Sequence, residues 1–450
     1  MTDDPPKEKH DHATLFFPKN FLWGAAASAH QVEGNNINND WWEWEQRTQP
    51  EDKRSLEACD QYNRFASDFE LIKKLGHNSH RLSLEWSRIE PTEGQFNQEA
   101  IDHYKKVLKA LKERDLIVML TLWHFTLPLW VAKTGGWANG KTVSYFERFL
   151  KKVVPEIKDY VDLWITLNEP GGYAVDAFYK GKFPPNVKSK SKLLKAYWNL
   201  AQAHKKSYQL IHEIIPSAKV GIAQNINSFD AFHHHSIRES IAEWILDILY
   251  NHSFYFLTGK KTHDFLGINY YFNNYISFNG EHAKLPSLIN VSETQKDLSD
   301  MGWEIYPEGI FDILMDFSDY HLPIYITENG LASTNDDRRC RFLIAYLKEV
   351  YHAIQSGADV RGYFHWSLID NYEWVEGFEA RFGLVEVDFK TQKRTVRPSA
   401  YVYKEIIKNN GIYHYLLRFL GHTVKADEVL YPEVSHDGRK PLIKEEIEIT

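Results

Sequence analysis

Short apolar runs rich in Val, Ile, Leu and aromatic residues recur along the chain, separated by longer segments whose apolar positions repeat every three to four residues. Eight such runs stand out: Phe21–Ser28, His80–Leu84, Ile117–His124, Leu163–Asn168, Lys219–Asn225, Phe265–Tyr271, Ile324–Glu328 and Arg361–Leu368. Each has the length and composition of a buried strand. Strands alternating with helical segments predict βα units on a parallel sheet. Eight units predict an α/β fold closed into a single (β/α)8 TIM barrel, with the active site at the C-terminal ends of the strands. The helical reading is clearest at Ile101–Arg114, where Tyr104, Val107, Leu108 and Leu111 share one face. It recurs at Arg338–Ser356, with Leu343, Ala345, Leu347, Val350, Tyr351 and Ile354, and Gly357 predicts its C-cap.

No interior linker, repeat or low-complexity tract divides the chain, so residues 14–411 read as one catalytic barrel. Residues 1–13 read as a disordered polar arm. Residues 412–450 form an extension outside the βα pattern, either a packing element or a subunit contact in a homo-oligomer. The net charge of −8, from 61 acidic and 53 basic residues, argues against nucleic acid or an anionic membrane as the main partner. Cys59 and Cys340 are too few for a disulfide framework and lack CxxC spacing. The N-terminus has no apolar core of a signal peptide, and no apolar run reaches membrane-spanning length, which together predict a cytoplasmic protein.

Strand ends are where chemistry is expected, and two runs place a carboxylate beside an asparagine there. These are TLNEP at Thr166–Pro170 and ITENG at Ile326–Gly330. Either glutamate alone reads as a turn residue. Paired in one barrel mouth, Glu169 and Glu328 suit glycoside cleavage, where one group protonates the leaving oxygen and the other stabilises or captures the oxocarbenium-like centre.

These runs, together with Asp264–Tyr271 (DFLGINYY) and Tyr363–Trp374 (YFHWSLIDNYEW), resemble glycoside hydrolase family 1. The likeness extends through Phe21–Ala26, Gln31–Gly34, Arg81–Ile89, Trp123–Pro128, Arg381–Val385 and Arg397–Ala400, in the same order over most of the chain. It implies a retaining β-glycosidase of β-glucosidase type, with Glu169 as acid/base and Glu328 as nucleophile, acting through a covalent glycosyl-enzyme, with transglycosylation possible. Retaining enzymes hold their carboxyls about 5–5.5 Å apart, so one charge keeps the other group protonated. The resemblance further implies that Arg81 and Tyr271 orient Glu328 and that Asn168 meets the sugar 2-hydroxyl, with Asn269 behind it. It assigns the non-reducing sugar to Gln31, His124, Glu373 and Trp374, with Trp366 beneath the ring and Phe382 beside the 6-hydroxyl. Read without it, Trp366 and Trp374 are core aromatics and Arg81 is the partner of some buried carboxylate.

Glu169 argues against the family's thioglucosidase branch, which lacks an acid there. A Glu373 carboxylate would repel a 6-phosphosugar. Terminal β-D-glucosyl, β-D-galactosyl or β-D-fucosyl residues are the expected substrates. The sequence departs from the family pattern between Asn225 and Asp264, where a compact stretch carries Phe229, Phe232, His233–His235 and Trp244 and leaves aglycone preference open, with Asn225 as an aglycone-side candidate. Thr126 and Trp123 also differ from the usual residues. His233–His235 lack HxxxH spacing, and His124 and His365 have no evident third ligand, so no metal and no cofactor are expected. The rival readings are a noncatalytic sugar-binding barrel and a metal-dependent barrel hydrolase.

Overall fold

The computed structural model describes residues 14–278, 287–289, 297–430 and 447, apart from 234 and 422. The predicted arm, residues 1–13, lies outside the described residues, as does most of the chain after 430. Eight parallel strands close into a barrel: β1 Leu22–Ala26, β2 Ser79–Ser83, β3 Ile117–Thr121, β4 Leu163–Asn168, β5 Val220–Asn225, β6 Leu266–Asn269, β7 Ile324–Asn329 and β8 Val360–Trp366. Each pairs with its sequence neighbours, and β8 returns to β1 through Gly362–Leu22 to Trp366–Ala26. All eight expected runs are strands. Several are shorter than their apolar runs, because the residues beyond the last barrel pairing turn inward to build loops. Ser28, His124 and Leu368 are buried without belonging to a strand.

Met119, Ile165, Ala223, Tyr325 and Phe364 form a buried cluster that also includes Trp366 and Phe382. Outside the barrel, helix Gln98–Lys112 buries Ile101, Tyr104, Val107, Leu108 and Leu111. It begins three residues before its periodic stretch because the Asn97 side chain accepts from Ala100 N–H. Helix Asp336–Gln355 likewise starts early, behind Asn335, and its inward face also takes in Phe342, Tyr346 and Ala353. Its cap residue is Ser356, and Gly357 follows at φ +107°.

Among the described residues, three smaller sheets complete the frame, one of them the antiparallel pair Val385–Asp388 and Lys393–Val396. Leu15–Phe16 pairs antiparallel with Gly411–Ile412, bringing the two ends of the barrel segment together. Trp23 Nε1–H donates to Asn410 Oδ1 at 2.9 Å beside this pair. After β5, strand Ser228–Ala231 pairs with Asn273–Ser277, which also pairs with 287–289. The compact stretch between Asn225 and Asp264 is therefore a strand followed by helical segments Ile237–Asp247, Ile248–His252 and Ser253–Thr258. Beyond Ile412 the chain folds back over the helices behind the barrel. Leu416, Phe419, Val429 and Leu430 are buried, and Ala426 N–H donates to Asp337.

Candidate active site

All eight strand ends contribute to one basin. The Gln31 helix follows β1, Arg81 lies on β2, His124 follows β3, Asn168 closes β4 and Glu169 comes next. Asn225 ends β5, Asn269 ends β6 with Tyr271 two residues on, Glu328 is on β7 and Trp366 ends β8. The basin is a cavity of about 590 Å³, lined by Gln31, His124, Asn168, Glu169, Tyr271, Glu328, Trp366, Glu373, Trp374 and Phe382 among others. Of the site residues that the family resemblance implies, Arg81 and Asn269 do not line it; they lie behind the lining and hold it.

Glu328 is gripped from two sides. Arg81 Nη1 donates to its Oε1 at 2.6 Å, and the Tyr271 hydroxyl donates to its Oε2 at 2.7 Å. Arg81 is 1% exposed, and a buried charge of that kind is stable only when paired and fully hydrogen-bonded. Its remaining donors reach Thr121 Oγ1, the Thr327 carbonyl and Asn168 Oδ1. Burial, followed by the Glu328 charge, pushes the Tyr271 hydroxyl well above its usual range, so it stays a donor.

Among the described residues Glu169 has no ion-pair partner. Its Oε1 accepts from Asn269 at 2.7 Å and its Oε2 from Asn225 at 3.4 Å. Burial, and then the charge of Glu328, raise its pKa to about 8. Its backbone sits in the left-handed region at φ +44°, as does that of Phe125 at +74° and Trp374 at +49°, and all three line the cavity. Such conformations cost about 1–3 kcal/mol each in a non-glycine residue and persist where the surroundings over-determine them.

A chain of hydrogen bonds fixes the protonation of His124. Arg81 and Asn269 both donate to Asn168 Oδ1, so Asn168 presents its NH₂ to His124 Nε2 at 3.1 Å. Burial and then Arg81 drive the imidazole pKa well below its ordinary value, so the ring is neutral. With Nε2 accepting, the proton resides on Nδ1. That atom has no partner among the described residues and can donate to a ligand hydroxyl.

Glu373 Oε2 accepts from Gln31 Nε2 at 3.2 Å and from Trp366 Nε1 at 3.4 Å. Burial, and then the neighbouring Glu328 charge, raise it to about 8. With that value it is mostly a neutral hydrogen-bonding acid near neutrality, so the charge repulsion expected of it against a phosphate operates at higher pH. The Trp366 and Trp374 rings each stack on His124, at 6.2 and 5.9 Å between centroids.

The structure adds lining residues that no motif marks. Trp303, in the loop between β6 and β7, packs on Phe382, Tyr271 and Phe272. Tyr250, Lys180, Lys182 and Glu376 also line the cavity. Asn225, already a candidate, does so too and touches Glu169. Thr126 and Trp123 face away from the cavity: Thr126 donates to Glu85, and Trp123 donates to the Thr126 carbonyl and packs on Trp137 and Tyr173. Among the described residues, the histidine–carboxylate group with metal-like spacing is Asp247, His252 and Asp316, none of which lines the cavity. Burial opposes charging His252, but hydrogen bonds to Asp247 and Asp316 prevail and raise it to about 9, giving an imidazolium held between two carboxylates.

The sequence profile of glycosyl hydrolase family 1 matches residues 13–254 and 244–412. The chain belongs to glycosyl hydrolase family 1. It is accordingly a glycoside hydrolase. β-Glucosidase A of Thermotoga maritima is 32% identical over 442 residues, covering 88% of this chain and 98% of that protein. A β-galactosidase of Saccharolobus solfataricus is 32% identical over 473 residues, covering 88% and 96%. Among solved structures, a β-glycosidase from Pyrococcus horikoshii superposes with a TM-score of 0.84 at 38% identity, covering 90% of this chain and 98% of its own. The T. maritima β-glucosidase in complex with deoxynojirimycin gives 0.82 at 32% identity, covering 89% and 100%.

Proposed function

We propose that this family 1 enzyme is a retaining β-glycosidase that removes terminal non-reducing β-D-glucosyl residues, and β-D-galactosyl or β-D-fucosyl residues, by double displacement. The observation that carries this reading is the unequal treatment of two glutamates in one cavity. Glu328 is ion-paired with Arg81 and hydrogen-bonded by Tyr271, whereas Glu169 has only amide partners and is raised to about 8. In the first step Glu328 attacks the anomeric carbon while Glu169 gives its proton to the leaving oxygen. Bonding the sugar removes the charge on Glu328, so Glu169 becomes more acidic and then takes the proton of the water that releases the sugar. Two inversions leave the anomeric configuration unchanged, and an acceptor alcohol replacing water gives transglycosylation.

Arg81, Tyr271 and Asn269 act in this scheme by holding the two carboxyls. Asn168 meets the 2-hydroxyl. Gln31, His124 Nδ1–H, Glu373 and Trp374 bind the remaining hydroxyls, Trp366 covers the apolar ring face, and Phe382 walls the 6-position. The T. maritima relative is named a β-glucosidase and the S. solfataricus one a β-galactosidase, which supports substrates of this class. The reading needs no cofactor, and residues 14–411 are its catalytic unit. No described helix is long and apolar enough to cross a membrane.

A panel of aryl β-glycosides, with the first-formed product anomer read by NMR, tests the reading. β-Anomer release from the β-glucoside is expected, and α-anomer release would overturn retention. Glu328→Gly should lower turnover by about 10⁴-fold or more; undiminished turnover would remove it as nucleophile.

A further inference from the structure

The segment after β5 carries an amphipathic helix turned inside out. Along Ile237–Asp247, the residues Ile237, Ile241, Trp244 and Ile245 fall within about 100° of arc at 3.6 residues per turn. All four are exposed, Ile237 to 79% and Trp244 to 63%. The opposite, inward face holds Ala242 and Leu246 against Phe229 and Ile276, and also two carboxylates. Glu239 accepts from the backbone and ring of His233, and Glu243 accepts from Ala231 N–H. The inward carboxylates are satisfied by design of the local backbone, so the outward apolar stripe is the helix's settled orientation.

The stripe continues through Leu249, which is 60% exposed. Its carbonyl accepts from Ser253 Oγ, and that oxygen also meets the Tyr197 hydroxyl at 2.5 Å. Helix Lys190–Ile214 thereby meets the segment that follows the stripe, and Trp198 and Leu194, one residue after and three before Tyr197, are exposed. Ten of the thirteen exposed large hydrophobic residues among those described fall between 179 and 256. An apolar concentration of this kind marks a surface that something covers.

Charge indicates what covers it. From 177 to 212 the chain has eight lysines and no aspartate or glutamate, within a protein of net charge −8. Lys180 pairs with Asp176 and Lys206 with Glu147. Lys188, Lys190, Lys192 and Lys195 are exposed beside Leu194 and Trp198 and have no carboxylate partner among the described residues. Lysine is depleted from protein–protein interfaces, and a two-fold contact through this face would set each lysine row near its own copy. Exposed Leu194 and Trp198 flanked by lysines, with the apolar stripe from Ile237 to Leu249 beyond them, are instead suited to the headgroup region of an anionic bilayer. The overall negative charge is an average that conceals this local excess.

We propose that this face, helix Ile237–Asp247 with the lysine-rich start of helix Lys190–Ile214, docks on anionic phospholipid membranes. The catalytic reading is not needed for the inference. Tyr250, next to the stripe residue Leu249, and Lys182 line the cavity, so the docked enzyme would hold the cavity beside the lipid headgroups.

Vesicle flotation of the full chain tests this, comparing phosphatidylcholine alone with equal parts phosphatidylcholine and phosphatidylglycerol. Binding to the anionic vesicles should exceed that to neutral ones by at least about tenfold and fall in high salt. The variant I241S/W244S should lose at least about tenfold of that binding, and K190Q/K192Q/K195Q about a hundredfold. Both should keep aryl-glucoside turnover, which shows that they fold. Equal partitioning onto both vesicle types, or binding unchanged in either variant, would overturn the proposal. So would a dimer in sedimentation velocity that I241S/W244S converts to monomer without any vesicle binding, since the cover would then be a second copy.

Discussion

At the scale of single residues, the partners of the two glutamates divide their chemistry. The Glu328 carboxylate is held and aimed by a guanidinium and a phenol, while Glu169, against two amides in a buried site, has its pKa raised to about 8. Glu169→Ala should therefore lower kcat/KM by about 10²–10⁴-fold for alkyl β-glucosides, but by less than about tenfold in the glycosylation of dinitrophenyl β-glucoside, which needs no proton. Equal losses across a leaving-group series would remove Glu169 as the acid. The proton-donating form is the one present below the raised value, so kcat/KM for alkyl glucosides should hold at neutral pH and fall as pH rises through about 8. A pH–rate profile checks this, and a fall beginning near pH 5 would contradict it. The position of both glutamates in one cavity was legible in the sequence because each stands at a strand end within a short motif. The neutral tautomer of His124 was not, since it depends on Arg81, Asn269 and Asn168 converging from three strands.

At the scale of elements, the same glutamates depend on how neighbouring strands approach each other. Gly330, directly after β7, lies so close to β8 that a Cβ there would sit 1.8 Å from the Trp366 carbonyl oxygen. Glycine in the ITENG run is thus a packing requirement that lets the β7 end carrying Glu328 lie against the β8 end carrying Trp366. Gly330→Ala should destabilise the fold by about 1–3 kcal/mol or more and lower kcat along with it. Chemical denaturation and kinetics on the soluble fraction check this; wild-type values for both would show that the two strand ends can separate freely. Strand order and helix faces were readable because buried strands and half-buried helices impose different apolar periods. Helix starts were missed by a turn or less where Asn97 and Asn335 set them, because a polar cap leaves the apolar pattern unchanged. Trp303 reaches the cavity from a loop with no periodicity at all, so only the folded chain reveals it.

At the scale of the molecule, the barrel is enclosed by segments outside the βα repeat. The chain beyond Ile412 buries Leu416, Phe419, Val429 and Leu430 against the helices behind β7 and β8. Each such side chain contributes about 1.5–3 kcal/mol of burial, so a chain ending at Ile412 should melt roughly 5 °C lower or more while keeping its KM for aryl glucosides. An unchanged melting temperature would make the extension dispensable for folding. The two-stranded pairing of Leu15–Phe16 with Gly411–Ile412 has a different consequence. Entry to and exit from the ring of strands lie side by side, so the ring has a seam that tertiary contacts already close. A circular permutant that joins these ends with a short linker and opens the chain at a surface loop would rebuild the same circuit of strands, and the order of synthesis would change while the reacting groups still met.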